Sequence, residues 1–439
     1  MRPRTTSDRA LPLLVPAVLA AACTRAAPAA VEGLPDFGPR ARSIAVLSGA
    51  EDEHLGVAIA THGDVDGDRR ADLVLGSLRD ARPGGDGPAF VRAMSVARDA
   101  VLHTVRGADP SGADAFGERL AIVGDVDGDQ VIDFGVGAWR ANDGRGQFEV
   151  RSGRSGALVT RIVGMPPWED ALGAAACAAG DVDGDGALDV ALSVSRSLTK
   201  VFGAKDGRLL AELEGTPVSL TGDLDGDGRR ELLLYDGPPR DAALLWTSTT
   251  RTARVVSAAK GVTLLALDAG ADFARVEAHG SAGDLDRDGF VDWIVAGRPV
   301  DTRENDFVPG PRERRVRVLS GKTGVEIAGF SVELPQRGRI HLALGVGDLD
   351  GDGAGEMLVS GHVEEGLPAA FVELRSFPSG KLAHRFTSRN WSFGTAATPI
   401  PDQDGDGVAD LVIGEYESAS DARCGGRVYV VALERYAGP

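Results

Sequence analysis

Short apolar runs separated by glycine-rich polar segments dominate residues 41–439 of this chain. The runs at 73–76 and 411–414 are too short for a helix, and no segment shows the 3.6-residue spacing of an amphipathic helix. A strand-like run that ends in a tight glycine turn also recurs, for example at 152–156 and 320–324. Such turns suit hairpins because glycine accepts a positive φ. The pattern predicts an all-β protein.

An acidic phrase, Asp-x-Asp-x-Asp-x-x-x-Asp/Glu, occurs seven times and defines a repeat. A glycine precedes its first Asp in six copies, and Pro401 does so in the seventh. In five copies a further glycine lies eight residues before the first Asp, as Gly56, Gly117, Gly173, Gly215 and Gly394. Each unit reads as strand A before the phrase, strand B after it, and strands C and D around the glycine turn. Seven such units predict a seven-bladed β-propeller with four-stranded antiparallel blades.

The two ends of the repeat region predict how the ring closes. The seventh unit supplies strands at 408–414 and 427–433 but no fourth strand. Residues 42–48 form a strand-like run with no blade of their own. We expect this N-terminal strand to be strand D of the last blade, paired with 427–433, because this pairing removes two open sheet edges.

The acidic phrases have the chemistry of a calcium site. Oxygen ligands from carboxylates, backbone carbonyls and water suit Ca²⁺, whereas Mg²⁺ demands stricter octahedral geometry. An EF-hand needs an acid at position 12, but that position is apolar in every copy, as at Leu75 and Ile413. We therefore predict up to seven structural Ca²⁺ ions, held by the acids at positions 1, 3, 5 and 9. These residues are Asp64, Asp66, Asp68 and Asp72; Asp125, Asp127, Asp129 and Asp133; Asp181, Asp183, Asp185 and Asp189; Asp223, Asp225, Asp227 and Glu231; Asp284, Asp286, Asp288 and Asp292; Asp348, Asp350, Asp352 and Glu356; and Asp402, Asp404, Asp406 and Asp410.

The seven phrases are not equivalent. Arg69 and Gln130 stand at position 6, and Arg287 at position 4, where the other copies have glycine. Position 9 is the longer Glu231 or Glu356 in two copies. We expect these five phrases to bind calcium more weakly, through turn strain or a changed reach.

These residues resemble the FG-GAP repeat of the integrin alpha-chain propeller. The closest copy runs from Asp114-Ala115-Phe116-Gly117 through the second acidic phrase to Gly137. The resemblance covers about 41–439 and implies calcium in the A–B loops of one face and ligands on the other. No adhesion or leg region follows, so integrin signalling is not implied. The sequence more closely resembles bacterial envelope proteins that carry these repeats.

The N-terminal segment predicts export. Arg2, Arg4 and Arg9 precede an apolar run at 11–22 that is too short to span a bilayer. Leu19-Ala20-Ala21-Ala22-Cys23 resembles a lipobox, which implies a signal peptide at 1–22, lipidation of Cys23 and an envelope lipoprotein held at the membrane by that lipid. An ordinary secretory signal stays open as the alternative. Residues 23–40 are rich in Ala and Pro and read as a tether before the propeller at 41–439.

Antiparallel connectivity puts the A–B loops and the C–D glycine turns on one face and the B–C and D–A loops on the other. The variable B–C loops carry exposed-looking residues and form the expected ligand face. These residues are Trp139, Arg140, Arg303, Phe307, Tyr416 and Arg423. Cys177 is expected to be a buried thiol, and its pairing with Cys424 stays open.

The net charge and the sequence motifs limit the possible functions. The formal net charge is −18, which argues against a nucleic-acid partner, and 28 of the 65 acidic residues lie in the phrases. Gly321-Lys322-Thr323 lacks the rest of a phosphate loop, and no zinc or nucleophile motif is present. The sequence favours a non-enzymatic scaffold for a protein or glycan ligand. A polysaccharide lyase or hydrolase, or a self-associating envelope protein, remains the alternative.

Overall fold

The structure is a computed structural model that describes residues 35–38, 41–50, 53–78, 89–165, 171–194, 197–237, 249–271, 273–300, 312–334, 338–363, 369–417 and 425–433. Its regular secondary structure consists of 28 β-strands, and these ranges contain no helix. Among them, therefore, no helix has the length and apolar character needed to cross a membrane.

The strands form seven four-stranded sheets, the blades of a propeller. The first strand, β1 (Ala41–Ser48), belongs to the last blade. Blade 1 comprises β2 (Leu55–Thr61), β3 (Leu73–Ser77), β4 (Phe90–Ser95) and β5 (Ala100–Arg106). Blade 2 comprises β6 (Arg119–Gly124), β7 (Asp133–Gly137), β8 (Gln147–Arg151) and β9 (Leu158–Val163). Blade 3 comprises β10 (Ala176–Gly180), β11 (Asp189–Val194), β12 (Leu198–Phe202) and β13 (Leu209–Glu214).

The remaining blades repeat this order. Blade 4 comprises β14 (Thr216–Leu220), β15 (Leu232–Tyr235), β16 (Thr252–Ser257) and β17 (Val262–Asp268). Blade 5 comprises β18 (Phe273–Gly283), β19 (Asp292–Pro299), β20 (Arg312–Leu319) and β21 (Glu326–Leu334). Blade 6 comprises β22 (Gly338–Gly347), β23 (Glu356–Val363), β24 (Ala370–Ser376) and β25 (Lys381–Ser388). Blade 7 comprises β26 (Phe393–Ile400), β27 (Asp410–Glu415), β28 (Arg427–Leu433) and β1.

The predicted fold and ring closure are confirmed. Neighbouring strands in each blade pair antiparallel, in the order A, B, C, D. Strand β1 pairs with β28 over nearly its whole length, from Ala41 opposite Leu433 to Ser48 opposite Arg427. The N-terminal strand therefore completes the last blade, and no open edge remains between the first and the last repeat.

The hydrophobic core lies between adjacent blades. Strand B is buried on both faces, as in β11 and β15, because it is covered by the blades on either side. Strand D is more exposed, with mixed exposed and half-buried residues in β5 and β13. One buried cluster joins Ile294 of blade 5 to Met357 of blade 6, so each inter-blade contact buries large side chains at about 1.5–3 kcal/mol apiece.

The recurring glycines allow neighbouring blades to approach closely. Gly117 has a φ of +85°, which favours glycine. Its carbonyl oxygen lies 2.0 Å from the point that a Cβ on Gly76 of blade 1 would occupy. The glycine before strand A and the glycine in strand B of the preceding blade therefore form one contact.

A short segment before β1 also contacts the ring. Asp36 forms two backbone hydrogen bonds with Thr387 of β25, at N–O distances of 2.8 and 3.0 Å. The Phe37 ring lies 5.9 Å from that of Phe386 and 5.6 Å from that of Tyr429. Contacts with the propeller thus begin before residue 41. The predicted signal segment at 1–22 and Cys23 lie outside the described residues.

Candidate metal centres

The seven acidic phrases form the turns between strands A and B. We call them acidic loops 1 to 7 in chain order. They span residues 64–72, 125–133, 181–189, 223–231, 284–292, 348–356 and 402–410. Because every blade has the same strand order, all seven loops lie at the same end of their blades.

The Asp at position 1 fixes the turn. In acidic loop 4, Asp223 Oδ1 accepts hydrogen bonds from the backbone N–H groups of Gly226 (2.7 Å) and Asp227 (3.1 Å), and its Oδ2 accepts one from Gly228 (2.8 Å). Asp125 in acidic loop 2 accepts the equivalent three bonds. Repulsion between the carboxylates is thus opposed by backbone N–H dipoles that hold the turn in place.

Three loops hold a non-glycine residue in the left-handed region. Arg69 and Gln130 have a φ of +71°, and Arg287 has one of +60°. These conformations are strained for residues with a Cβ. The expected turn strain is present in acidic loops 1, 2 and 5, and its effect on calcium affinity stays a prediction.

The acid at position 9 connects the loop to strand B. In every loop, one of its oxygens accepts a hydrogen bond from the backbone N–H of position 2, at 2.7 to 2.9 Å. In acidic loops 2 and 5, the other oxygen accepts one from Gly153 (2.8 Å) or Gly321 (3.0 Å) of the C–D turn. These bonds confirm that the acidic loops and glycine turns share a face.

Two position-9 acids keep an oxygen without a hydrogen-bond partner among the described residues. Asp72 is 1% exposed and Glu356 is fully buried, yet Asp72 Oδ1 and Glu356 Oε1 have no partner. A buried, unpaired carboxylate oxygen is costly in free energy. Each of these oxygens is therefore suited to bind a cation that the other carboxylates of the same loop also bind.

The carboxylates converge within metal-binding range. The described residues contain seven groups of at least three side chains whose ligand atoms all lie within 4.8 Å of one another. Five of the groups are Asp64, Asp66 and Asp72; Asp125, Asp127 and Asp133; Asp181, Asp183 and Asp189; Asp223, Asp225, Asp227 and Glu231; and Asp284, Asp286 and Asp288. Acidic loop 4 brings all four predicted ligands together. The groups in loops 1, 2 and 3 omit Asp68, Asp129 and Asp185, and that in loop 5 omits Asp292.

Burial shifts the protonation of the position-9 acids. Desolvation, with the neighbouring aspartate charges as a further cause, raises the pKa of Asp72, Asp189, Asp292 and Asp410 to about 6. The same causes raise the pKa of Glu356 to about 8. Without a cation, Glu356 therefore favours the protonated form at neutral pH, whereas the four aspartates become mainly protonated only below about pH 6. A bound cation would stabilise the carboxylate form of all five.

The opposite face differs in part from the sequence expectation. Trp139 is half-buried and donates a hydrogen bond from Nε1 to Glu118 Oε2 (3.0 Å), while the exposed Arg140 lies 4.3 Å over its ring. Tyr416 was expected to be exposed, but it is only 5% exposed, because it packs against Trp391 of the preceding D–A loop. Arg303, Phe307 and Arg423 lie outside the described residues.

The sequence reading missed one set of residues near the acidic loops. The third residue after strand C is basic in blades 1 to 5, as Arg98, Arg154, Lys205, Lys260 and Lys322. Aligning the repeats on the end of strand C would have revealed this column. Cys177 was expected to be buried, but it is only half-buried in β10; desolvation nevertheless raises the pKa of its thiol to about 12. Cys424 lies outside the described residues.

No protein-family model matches this chain, and no curated protein matches it. The seven-bladed propeller is established by its strands and their pairing. The FG-GAP resemblance depends on the motif residues alone.

Proposed function

We propose that this protein is a calcium-stabilised propeller of the FG-GAP type that acts outside the cytoplasm as a non-enzymatic scaffold for a protein or glycan ligand. The observation that carries the calcium assignment is the pair of buried, unpartnered oxygens, Asp72 Oδ1 and Glu356 Oε1, within the acidic loops. Carboxylates on a tight turn are the donor set of a hard divalent cation.

The acids at positions 1, 3, 5 and 9 of each loop would hold the ion. Position 9 lies at the start of strand B, whereas position 1 follows strand A, so one ion would link two strands of a blade. It would also neutralise carboxylates that otherwise repel one another. Calcium would therefore act on stability.

Metal-free unfolding tests this assignment. Extracellular calcium modules typically bind at about 10⁻⁴–10⁻³ M, and an ion at 100 times its dissociation constant adds roughly 2.7 kcal/mol per site. We expect the melting temperature to fall markedly when calcium is chelated and to recover when calcium is restored in excess. As a control, Asp143→Asn should show the same dependence of melting temperature on calcium as the wild type, because the Asp143 side chain is 98% exposed and lies outside the acidic loops. A melting temperature indifferent to chelation would contradict structural calcium.

The scaffold assignment is supported by the ring itself, which holds variable loops on a rigid frame. The face opposite the acidic loops displays the exposed Arg140, whose guanidinium lies 4.3 Å over the ring of Trp139. A pull-down with envelope glycans and envelope proteins, with and without calcium, tests this role. Binding lost in Arg140→Ala but kept in Lys381→Gln, a change on the face of the acidic loops, would support this face. Binding that is unchanged in Arg140→Ala and is lost only on substitution of acidic-loop residues would contradict it.

Export is part of the same proposal. The lipobox-like segment before Cys23 supports a lipid-anchored envelope protein, and plain secretion is the other form. Mass spectrometry of the mature N-terminal peptide separates them, since a diacylated Cys23 adds a lipid mass and a Cys23→Ser variant would remove it. An uncleaved N-terminus at Met1 would contradict export by this signal.

A further inference from the structure

Basic side chains from the C–D turns reach into the acidic loops of their own blades. In blade 4, Lys260 Nζ lies 2.8 Å from Asp225 Oδ2 and 3.0 Å from Asp227 Oδ2. These aspartates occupy positions 3 and 5, which are two of the four proposed ligand positions. One ammonium group thus binds two of the side chains that calcium would use.

The same contact recurs around the ring. It joins Arg98 to Asp66 (3.0 Å), Arg154 to Asp129 (2.9 Å), Lys205 to Asp185 (3.6 Å), Arg208 to Asp183 (2.8 Å) and, in blade 7, Arg42 of β1 to Asp404 (2.6 Å). In blade 5, Lys322 Nζ donates to the backbone oxygen of Asp288 at 3.4 Å. Blade 7 has no C–D turn of its own, and its cation comes from the strand that replaces it.

These cations lie on the solvent side of the loops. The Lys260 side chain is 47% exposed, and an exposed ion pair contributes little to stability by itself. The buried position-9 acid of the same loop, Glu231, instead bonds the backbone N–H of Leu224. The basic residues therefore neutralise the outer carboxylates and leave the inner acid facing the loop.

We propose that the basic residues of the C–D turns in blades 1 to 5, and Arg42 in blade 7, are built-in counterions that occupy the metal-free acidic loops and compete with the bound cation. This inference rests on the proposed calcium function. In acidic loop 1 the buried Asp72 Oδ1 stays unpartnered although Arg98 binds Asp66, so the counterion does not complete this site. In the metal-free protein the basic side chains would then neutralise the solvent-side aspartates of the acidic loops. The calcium affinity of each loop would depend on the basic residue of its own blade.

The size of the effect follows from Coulomb's law. A unit positive charge a few ångströms from a divalent ion in a water-like dielectric, reduced by salt screening, changes the ion's affinity by about tenfold. Removing the charge of Lys260 should therefore tighten calcium binding at acidic loop 4 by about tenfold. The other loops should keep their affinities.

Hydrogen exchange read peptide by peptide measures each loop separately. The amides of Gly226, Asp227 and Gly228 bond to Asp223, so the peptide across acidic loop 4 should gain protection as calcium is added. We expect the calcium midpoint of this peptide to fall about tenfold in Lys260→Gln. It should return to the wild-type value in Lys260→Arg, which restores the charge.

Lys381→Gln is the matched control. Lys381 follows the C–D turn of blade 6, is exposed, and makes no ion pair with any described residue. Lys381→Gln should leave the calcium midpoint of every acidic-loop peptide unchanged. An unchanged loop 4 midpoint in Lys260→Gln, or an equal shift in Lys381→Gln, would overturn the counterion role while leaving calcium binding intact. If no wild-type peptide gains protection with calcium, the proposed function itself fails.

Discussion

Replacing Glu356 with glutamine should stabilise the metal-free protein at alkaline pH and destabilise the protein in the presence of calcium. Glu356 is fully buried at position 9 of acidic loop 6, and its Oε2 accepts the backbone N–H of Leu349 at 2.7 Å. Its Oε1 has no partner, and burial raises its pKa from 4.5 to about 8. Glutamine keeps the shape and the bond from Leu349, and it removes the charge.

The sign follows from proton linkage. The folded state binds this proton more tightly than the unfolded state, so folding stability is lost as the pH rises from about 4.5 and the loss is complete above about 8. The full shift would correspond to about 5 kcal/mol at 1.36 kcal/mol per pH unit, and we expect roughly half of it after solvent screening. In metal-free buffer at pH 8.5, Glu356→Gln should therefore be about 2–3 kcal/mol more stable than the wild type. At pH 4.5 the two should differ little.

Calcium should invert this order, because the glutamine variant has lost a charged ligand. Urea unfolding at pH 4.5, 7 and 8.5 in metal-free buffer, and again at pH 8.5 with excess calcium, measures all four conditions. Asp143→Asn should track the wild type throughout, since that carboxylate is exposed. A glutamine variant that is less stable at every pH without metal would refute the assignment of Glu356 as a strained, metal-directed carboxylate.

Three further changes test the ring. Deletion of residues 41–49 should abolish soluble folded protein, because β28 loses its partner β1, and unchanged thermal unfolding would contradict the closure. Gly117→Ala should cost at least about 2 kcal/mol in urea unfolding, because a Cβ would combine a φ of +85° with a contact of 2.9 Å to Val91, whereas Gly144→Ala has the same φ and open space and should cost less. Arg314→Met should cost about 2–3 kcal/mol, because the fully buried Arg314 donates to the buried Glu277 at 2.9 Å. Arg298 also pairs with Glu277 at 2.9 Å, so a loss below 1 kcal/mol would show that Arg298 alone neutralises Glu277.

The sequence predicted the fold because each local signal was repeated seven times. Strand β28 was predicted with its observed bounds, and the run at 42–48 lies within one residue of β1. Strand B could be recognised as a short, continuous apolar run because both of its faces are covered, which removes the alternation of a half-exposed strand. The acids that converge in acidic loop 4 are close in sequence, so their grouping followed from spacing alone.

Contacts between distant segments could not be predicted in the same way. Tyr416 is buried by Trp391, which belongs to a loop that the local pattern does not connect to it. Lys260 lies 35 residues beyond Asp225, and only the pairing of strands brings the two together. The carbonyl of Gly117 faces Gly76 of the preceding blade, so that glycine pair reflects inter-blade packing as well as local turn geometry.

The pairing of β1 with β28 has a consequence for biosynthesis. Ala41 is made 392 residues before its partner Leu433. Blade 7 therefore cannot form before β28 has been made, and β1 must stay unpaired while the six intervening blades are synthesised. A nascent chain with this topology depends on protection of that one hydrophobic strand, and truncated products would expose β1 as a target for quality-control proteases.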